Sequence, residues 1–187
     1  MIQHFEFQNK RISGLVEITP FFADDNRGYF IKDFEKDIFT QNGISFDIYE
    51  EFNSFSYKNV IRGLHFQSKY PQSKLISALQ GEIFDVAVDL RKDSPTFGEW
   101  EAVILSERNR KSFLIPKGFA HGFAVLSETA VVSYKCEGKY LKEYDTGIVW
   151  NDLSLNIKWP DEVYYCAIVS ERDKDLQSFE EFRIIPI

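Results

Sequence analysis

Two histidines stand where histidine is uncommon. His65 lies in "VIRGLHFQ", Val60 to Gln67, and His121 in "IPKGFAHGFAVL", Ile115 to Leu126; both runs are apolar, strand-like and punctuated by glycine. An imidazole can move a proton near neutral pH, ligate a metal, or make a buried hydrogen bond. Taken singly, each residue is most simply a hydrogen-bonded core histidine. Taken together they are not, because polar residues recur around them at fixed distances. Gln67 follows His65 by two, Lys74 follows Gln67 by seven, Gly81 follows Lys74 by seven, and Pro116-x-Gly118 leads into His121. A lysine kept among apolar strands without a partner is costly. A neutral base beside a cation suits the removal of a proton and stabilisation of the negative charge left behind. The same lysine argues against a metal, since an ammonium group among the ligands repels a divalent cation.

The elements that must position these groups are mostly strands. "FEF" and "GLVEIT" within residues 1–20 read as two short strands, and "ADDNRGYF" as a turn leading into another. Residues 34–43, "FEKDIFTQNG", predict the clearest helix, with Phe34, Ile38 and Phe39 on one face and Asn42-Gly43 at its end. From residue 47 onward "DIYEEFNSFS", "VIRGLHF", "KLISALQ", "EIFDVAVDLR", "EWEAVILS", "KSFLIP", "GFAVLSE", "AVVSYKCEGKY" and "GIVWND" follow as short strands separated by turn residues. In "IFDVAVDL", Ile83, Asp85, Ala87 and Asp89 alternate with Phe84, Val86, Val88 and Leu90. The tail, "SERDKDLQSFEEFRIIPI", reads as a polar turn, a short helical stretch and a final extended piece. Many short strands at near-regular spacing predict an all-β antiparallel sandwich or jelly roll with few short helices. The 18 Phe favour the same class, because rings pack well across sheets.

Composition narrows the partners. A net charge of −7 leaves no basic excess for nucleic acid or an anionic membrane. An anionic ligand would need local cations, for which Arg27, Arg62 and Lys74 are the candidates. Cys136 and Cys166 lie far apart and form no CxxC, which predicts two reduced, half-buried thiols. "MIQHFEFQNK" lacks the apolar core of a signal peptide and no run reaches span length, so the chain reads as cytoplasmic. Its 187 residues suit a single domain, residues 1–187.

The spacing around the two histidines resembles the two motifs of the cupin superfamily, G-x5-H-x-H-x3-4-E-x6-G and P-x-G-x-x-H. The resemblance implies a cupin jelly-roll barrel with His65, Gln67, Lys74 and His121 pointing into its mouth. "DNRGYF", "NSFSYKNVIRGLHFQ", "KLISALQGEIFDVAVDLRKDSPTFGEW", "IPKGFAHGFAVLSETAVVSYKC", "WNDLSLNIKWP" and "SERDKD" resemble, in order, the blocks of the dTDP-4-dehydrorhamnose 3,5-epimerase family of sugar-nucleotide enzymes. That resemblance implies epimerisation at C3 and C5 of a nucleotide-linked 4-keto-6-deoxyhexose, without cofactor or metal, by a homodimer with exchanged N-terminal strands. It implies His65 as the base, Asp173 of "SERD" as the carboxylate orienting it, and Tyr134 of "SYKC" as the general acid. It places Lys74 and His121 at the 4-oxygen, Arg27 and Arg62 at the diphosphate, and Asn53, Tyr140 and Phe30 around the nucleotide; Arg172 is a further phosphate candidate.

Two positions depart from the family pattern. Lys32 and Glu51 stand where the family commonly has Glu and Gln near the nucleobase, which raises the alternative of CDP, GDP or UDP in place of dTDP. Epimerisation at one carbon only, a non-catalytic sugar-nucleotide binder, and a metal-dependent dioxygenase are the other readings weighed.

Overall fold

A computed structural model of the chain describes residues 4–184. The alternating segments form two antiparallel sheets that share one apolar interior. In spatial order the first comprises β1 (Glu6–Asn9), β2 (Val16–Thr19), β10 (Ser112–Ile115), β7 (Ser73–Gln80), β12 (Thr129–Glu137) and β5 (Glu50–Tyr57). The second comprises β13 (Asp145–Gly147), β6 (Ile61–Gln67), β11 (Phe119–Val125), β8 (Glu82–Asp89) and β9 (Trp100–Ser106). A separate hairpin pairs β3 (Phe21–Asp25) with β4 (Gly28–Lys32). Neighbours that are distant in sequence, such as β2 beside β10 and β7 beside β12, are the crossovers of a jelly roll.

Inward residues of both sheets, including Ile76, Val132, Ile83, Ala87, Leu105 and Phe123, fill the interior. The outer faces are covered too. Phe39 and Phe46 pack with Ile18, Leu75 and Leu114 on the six-stranded sheet. Ile157, Trp159, Phe179 and Phe182 pack with Val86, Val88 and Ala124 on the five-stranded one. Burial on both faces explains why β8 carries Val86 and Val88 outward as well as Ile83 and Ala87 inward.

The helices are short: α1 (Lys36–Gln41), α2 (Asp161–Tyr164), α3 (Glu171–Lys174) and α4 (Phe179–Ile184), with one 3-10 turn at Lys142–Tyr144. The helix expected at 34–43 begins two residues later, at Lys36, and stops at Asn42, with Gly43 at φ 77°. "GIVWND" contributes only Gly147, the last residue of β13, and the bridge at Ile148. Beyond it the chain turns, because Asp152 accepts from the N–H groups of Ser154, Leu155 and Phe179. The helical stretch expected in the tail includes "FEEFRI", where Phe179 and Phe182 at i, i+3 both reach the outer face of the sheet. Residues 185–187, the end of the expected extended piece, and 1–3 lie outside the described residues. The thiols differ from expectation: both are free, but Cys136 is buried and Cys166 exposed. Among the described residues no helix is long and apolar enough to cross a membrane.

Candidate active site

The strand pairing brings the two histidines together. His65 on β6 and His121 on β11 are direct partners, and the register slips immediately after them, between His121 and Phe123. The strands approach closely only because the facing residues are glycines. A Cβ on Gly63 (φ 120°) would lie 2.5 Å from the Gly122 Cα and 2.8 Å from the His121 carbonyl oxygen. No side chain fits there.

Each imidazole is held by a carboxylate. His65 Nε2 lies 2.8 Å from Asp173 Oδ1, and Asp173 Oδ2 accepts the Gly63 N–H at 3.1 Å. Ser170 caps the short helix α3 by accepting the Asp173 N–H, which fixes that carboxylate from behind. Burial pushes the Asp173 carboxyl up, but the His65 hydrogen bond and the Gly63 and Ser170 contacts hold it below the usual range. It is therefore an anion, suited to set the His65 tautomer. His121 Nε2 lies 2.8 Å from Asp85 Oδ1, and both side chains are buried. Here burial dominates, raising the aspartate and lowering the histidine, while each pulls the other back.

The facing sheet supplies the other groups. Lys74 on β7 lines the cavity, and its side chain makes no ion pair or hydrogen bond among the described residues; burial lowers its pKa. Tyr134 on β12 is buried and its phenol is raised by that burial, so it stays protonated. Histidines from one sheet and Lys74 and Tyr134 from the other thus line one cavity of about 520 Å³. At its mouth Tyr140 Oη donates to Asp145 Oδ2 at 2.9 Å, and Arg172 to the same oxygen at 2.6 Å. Arg62 donates to Ser56 Oγ and the Phe55 carbonyl and also lines the cavity. Gln67 spans the rim, donating to the Tyr70 and Lys139 carbonyls and accepting from Leu141 N–H. Among the described residues no three His, Cys, Asp or Glu side chains converge in a metal-holding group.

A profile of the dTDP-4-dehydrorhamnose 3,5-epimerase family matches residues 9–181. The chain belongs to this family. Over 177 residues it is 46% identical to the dTDP-4-dehydrorhamnose 3,5-epimerase of Methanothermobacter thermautotrophicus, covering 95% of this chain and 96% of that one. The crystal structure of a Legionella pneumophila 3,5-epimerase in complex with dTDP-4-keto-L-rhamnose superimposes with a TM-score of 0.89 at 42% identity, covering 95% and 94% of the two chains. That of the Bacillus anthracis enzyme, with TDP and PPi bound, gives 0.90 at 38%, covering 94% and 100%.

Placed against the family's expected site, the residues divide. His65, Lys74, His121, Tyr134, Arg62, Tyr140 and Arg172 line the cavity, with Asp173 directly behind His65. Arg27, Phe30, Lys32, Glu51 and Asn53 do not. Arg27 and Phe30 sit on the exposed β3–β4 hairpin, where Arg27 pairs with Asp25 at 2.6 Å. Lys32 donates to Glu35 at 2.6 Å, and Glu51 lies 3.4 Å from the buried Lys135. Glu51 and Asn53 miss the cavity by strand parity. On β5 the inward set is Glu50, Phe52 and Ser54, continuing to the buried Ser56, so Glu51 and Asn53 face outward. Sequence reading thereby missed Glu50, Phe52 and Ser54, and also Asp85 and Asp145. Asp85 was signalled by its place on the inward half of "IFDVAVDL". The hub at Asp145 had no such signal.

Proposed function

We propose that the chain inverts C3 and C5 of a dTDP-linked 4-keto-6-deoxyhexose through an enolate. The observation that carries this reading is the carboxylate-held His65 facing an unpaired Lys74 ammonium and a protonated Tyr134 across one cavity. The 4-ketone acidifies the protons on both neighbouring carbons. His65 removes one, and the electron pair moves onto O4. Lys74 and His121 stabilise that oxygen, and Tyr134, from the opposite sheet, returns a proton to the other face of the carbon. Asp173 holds the tautomer and stabilises the imidazolium. Arg62 and Arg172 receive the diphosphate at the mouth, where guanidinium forks match phosphate oxygens. The dTDP-4-keto-L-rhamnose and TDP bound in the two related structures favour dTDP here, and Glu51, facing outward, leaves the lining of its own chain's cavity unchanged.

The reading extends to a homodimer, working in the cytoplasm. Its support is the exposed aromatic surface: Tyr29 and Phe30 on the hairpin, and Phe55 and Tyr57 on the outer face of β5, which has no strand beyond it among the described residues. In such a dimer Arg27 and Phe30 serve the cavity of the second copy. Light scattering should give twice the chain mass. Mixing Arg27→Ala and His65→Ala chains should restore part of the activity that each lacks.

The reaction is tested by incubation with the dTDP-4-keto-6-deoxy sugar in D2O, followed by NMR. Deuterium at C3 and C5 with inverted configuration is expected, and none with His65→Ala. Exchange at one carbon alone would make it a mono-epimerase. Exchange only with UDP, CDP or GDP sugars would overturn the nucleotide.

A further inference from the structure

Phe52 takes no part in the chemistry above, yet with Tyr134 it makes the closest ring pair of the cavity lining among the described residues. The two are direct partners in the β5–β12 register, so their side chains leave the sheet on one face. Their ring centroids are 4.7 Å apart with planes 12° from parallel. The His121 ring meets the same phenol at 6.0 Å and 78°. Tyr134 is 8% exposed and Phe52 48%. An aromatic ring left half in solvent at a sheet edge adds little to the core; what it covers is the phenol.

We infer that Phe52 is a positioning residue, holding the Tyr134 phenol in the orientation from which it protonates the enolate carbon and closing that side of the cavity to water. This rests on Tyr134 being the acid of the proposed reaction. In the productive step the phenol O–H breaks as the new C–H bond forms, the electron pair comes from the enolate, and the phenolate recovers its proton from solvent. When the phenol is loose, the enolate carbon instead recovers a proton on its original face from the His65 imidazolium, which exchanges with solvent. The outcome is isotope exchange without inversion.

Phe52→Ala, Phe52→Leu and Phe52→Tyr are therefore assayed in D2O beside the wild type, scoring deuterium in recovered substrate against inverted product. Loss of the stacked ring should slow inversion about fivefold to tenfold in the Ala and Leu variants. Exchange into recovered substrate persists, KM moves little, and Phe52→Tyr restores the wild-type ratio. Phe52→Leu keeps the apolar bulk and serves where Phe52→Ala does not fold. Exchange and inversion falling in parallel, or Phe52→Leu matching the wild type, would overturn the role of Phe52 alone. A wild-type chain inert on the sugar would overturn the reaction itself, and this inference with it.

Discussion

His65 and His121 face each other across the β6–β11 pairing, and each is held through Nε2 by a buried aspartate at 2.8 Å. The two pairs have the same geometry and different electrostatics. Asp173 is held below the usual carboxylate range by the groups it accepts from, whereas burial moves Asp85 the other way. The first pair is equipped to take a proton and the second to stand beside a developing charge.

Asp173→Asn should preserve the fold and the hydrogen bond while favouring the wrong tautomer of His65. Solvent exchange at the sugar carbons is expected to fall ~10²–10⁴-fold. Affinity for dTDP, measured by calorimetry, should stay within a few-fold. An exchange rate within threefold of wild type would remove Asp173 from the mechanism.

Lys74→Met should separate activity from stability. In the proposed reaction the substitution removes the donor to the 4-oxygen, for a loss of ~10²–10³ in kcat. It also removes an ammonium whose charged form burial disfavours, so the urea midpoint should hold or rise. Because that pKa lies below the usual lysine value, the alkaline limb of kcat/KM in the wild type should begin to fall before pH 10.5. A clear drop in the urea midpoint of Lys74→Met would show a structural lysine instead.

The thiols should react one at a time. Burial pushes the Cys136 thiol up to about 11, while Cys166 is exposed. A disulfide reagent at pH 8 is expected to label one thiol per native chain and two in urea, with mass spectrometry placing the first on Cys166. Cys136 also lines the cavity, and its rapid native labelling would show that this side of the cavity opens.

Asp89 should set the acid limit of the fold. Its carboxylate is wholly buried and accepts from Arg91, Ser94 and Thr96. Burial raises its pKa, but those bonds win and bring it to about 2. A depressed carboxylate contributes its stability above the unfolded value and loses it as pH falls, here between about pH 4 and pH 2, by about 1–2 kcal/mol. The urea midpoints of wild type and Asp89→Asn should accordingly converge over that window. A constant gap would indicate that charge at Asp89 is not the source.

Much of the site was legible because its signals are local. Histidines in glycine-broken apolar strands, a lysine at cupin spacing and the Pro116-x-Gly118-x-x-His121 run mark strand ends that share a barrel, and the all-β class follows from period-2 alternation. Strand parity was not legible: a one-residue step exchanges the faces, so that Glu50 and Phe52 line the chain's own cavity while Glu51 and Asn53 share the outer face of β5 with Phe55 and Tyr57. A short helical stretch was legible in the tail but its bounds were not, because six residues hold too few periods to place them.

The chain alone determined its strand-rich architecture and the residue types able to move a proton and hold an anion, since those depend on composition and short-range pattern. The family resemblance named Asp173 as the partner of His65, but only the tertiary structure supplied the contact itself and added Asp85 as the partner of His121. Asp173 lies 108 residues from His65 and Asp85 lies 36 from His121, so each match is made by sheet register and packing. It also decided that Arg27 and Phe30 stand away from their own chain's cavity, because the hairpin bearing them pairs only with itself among the described strands.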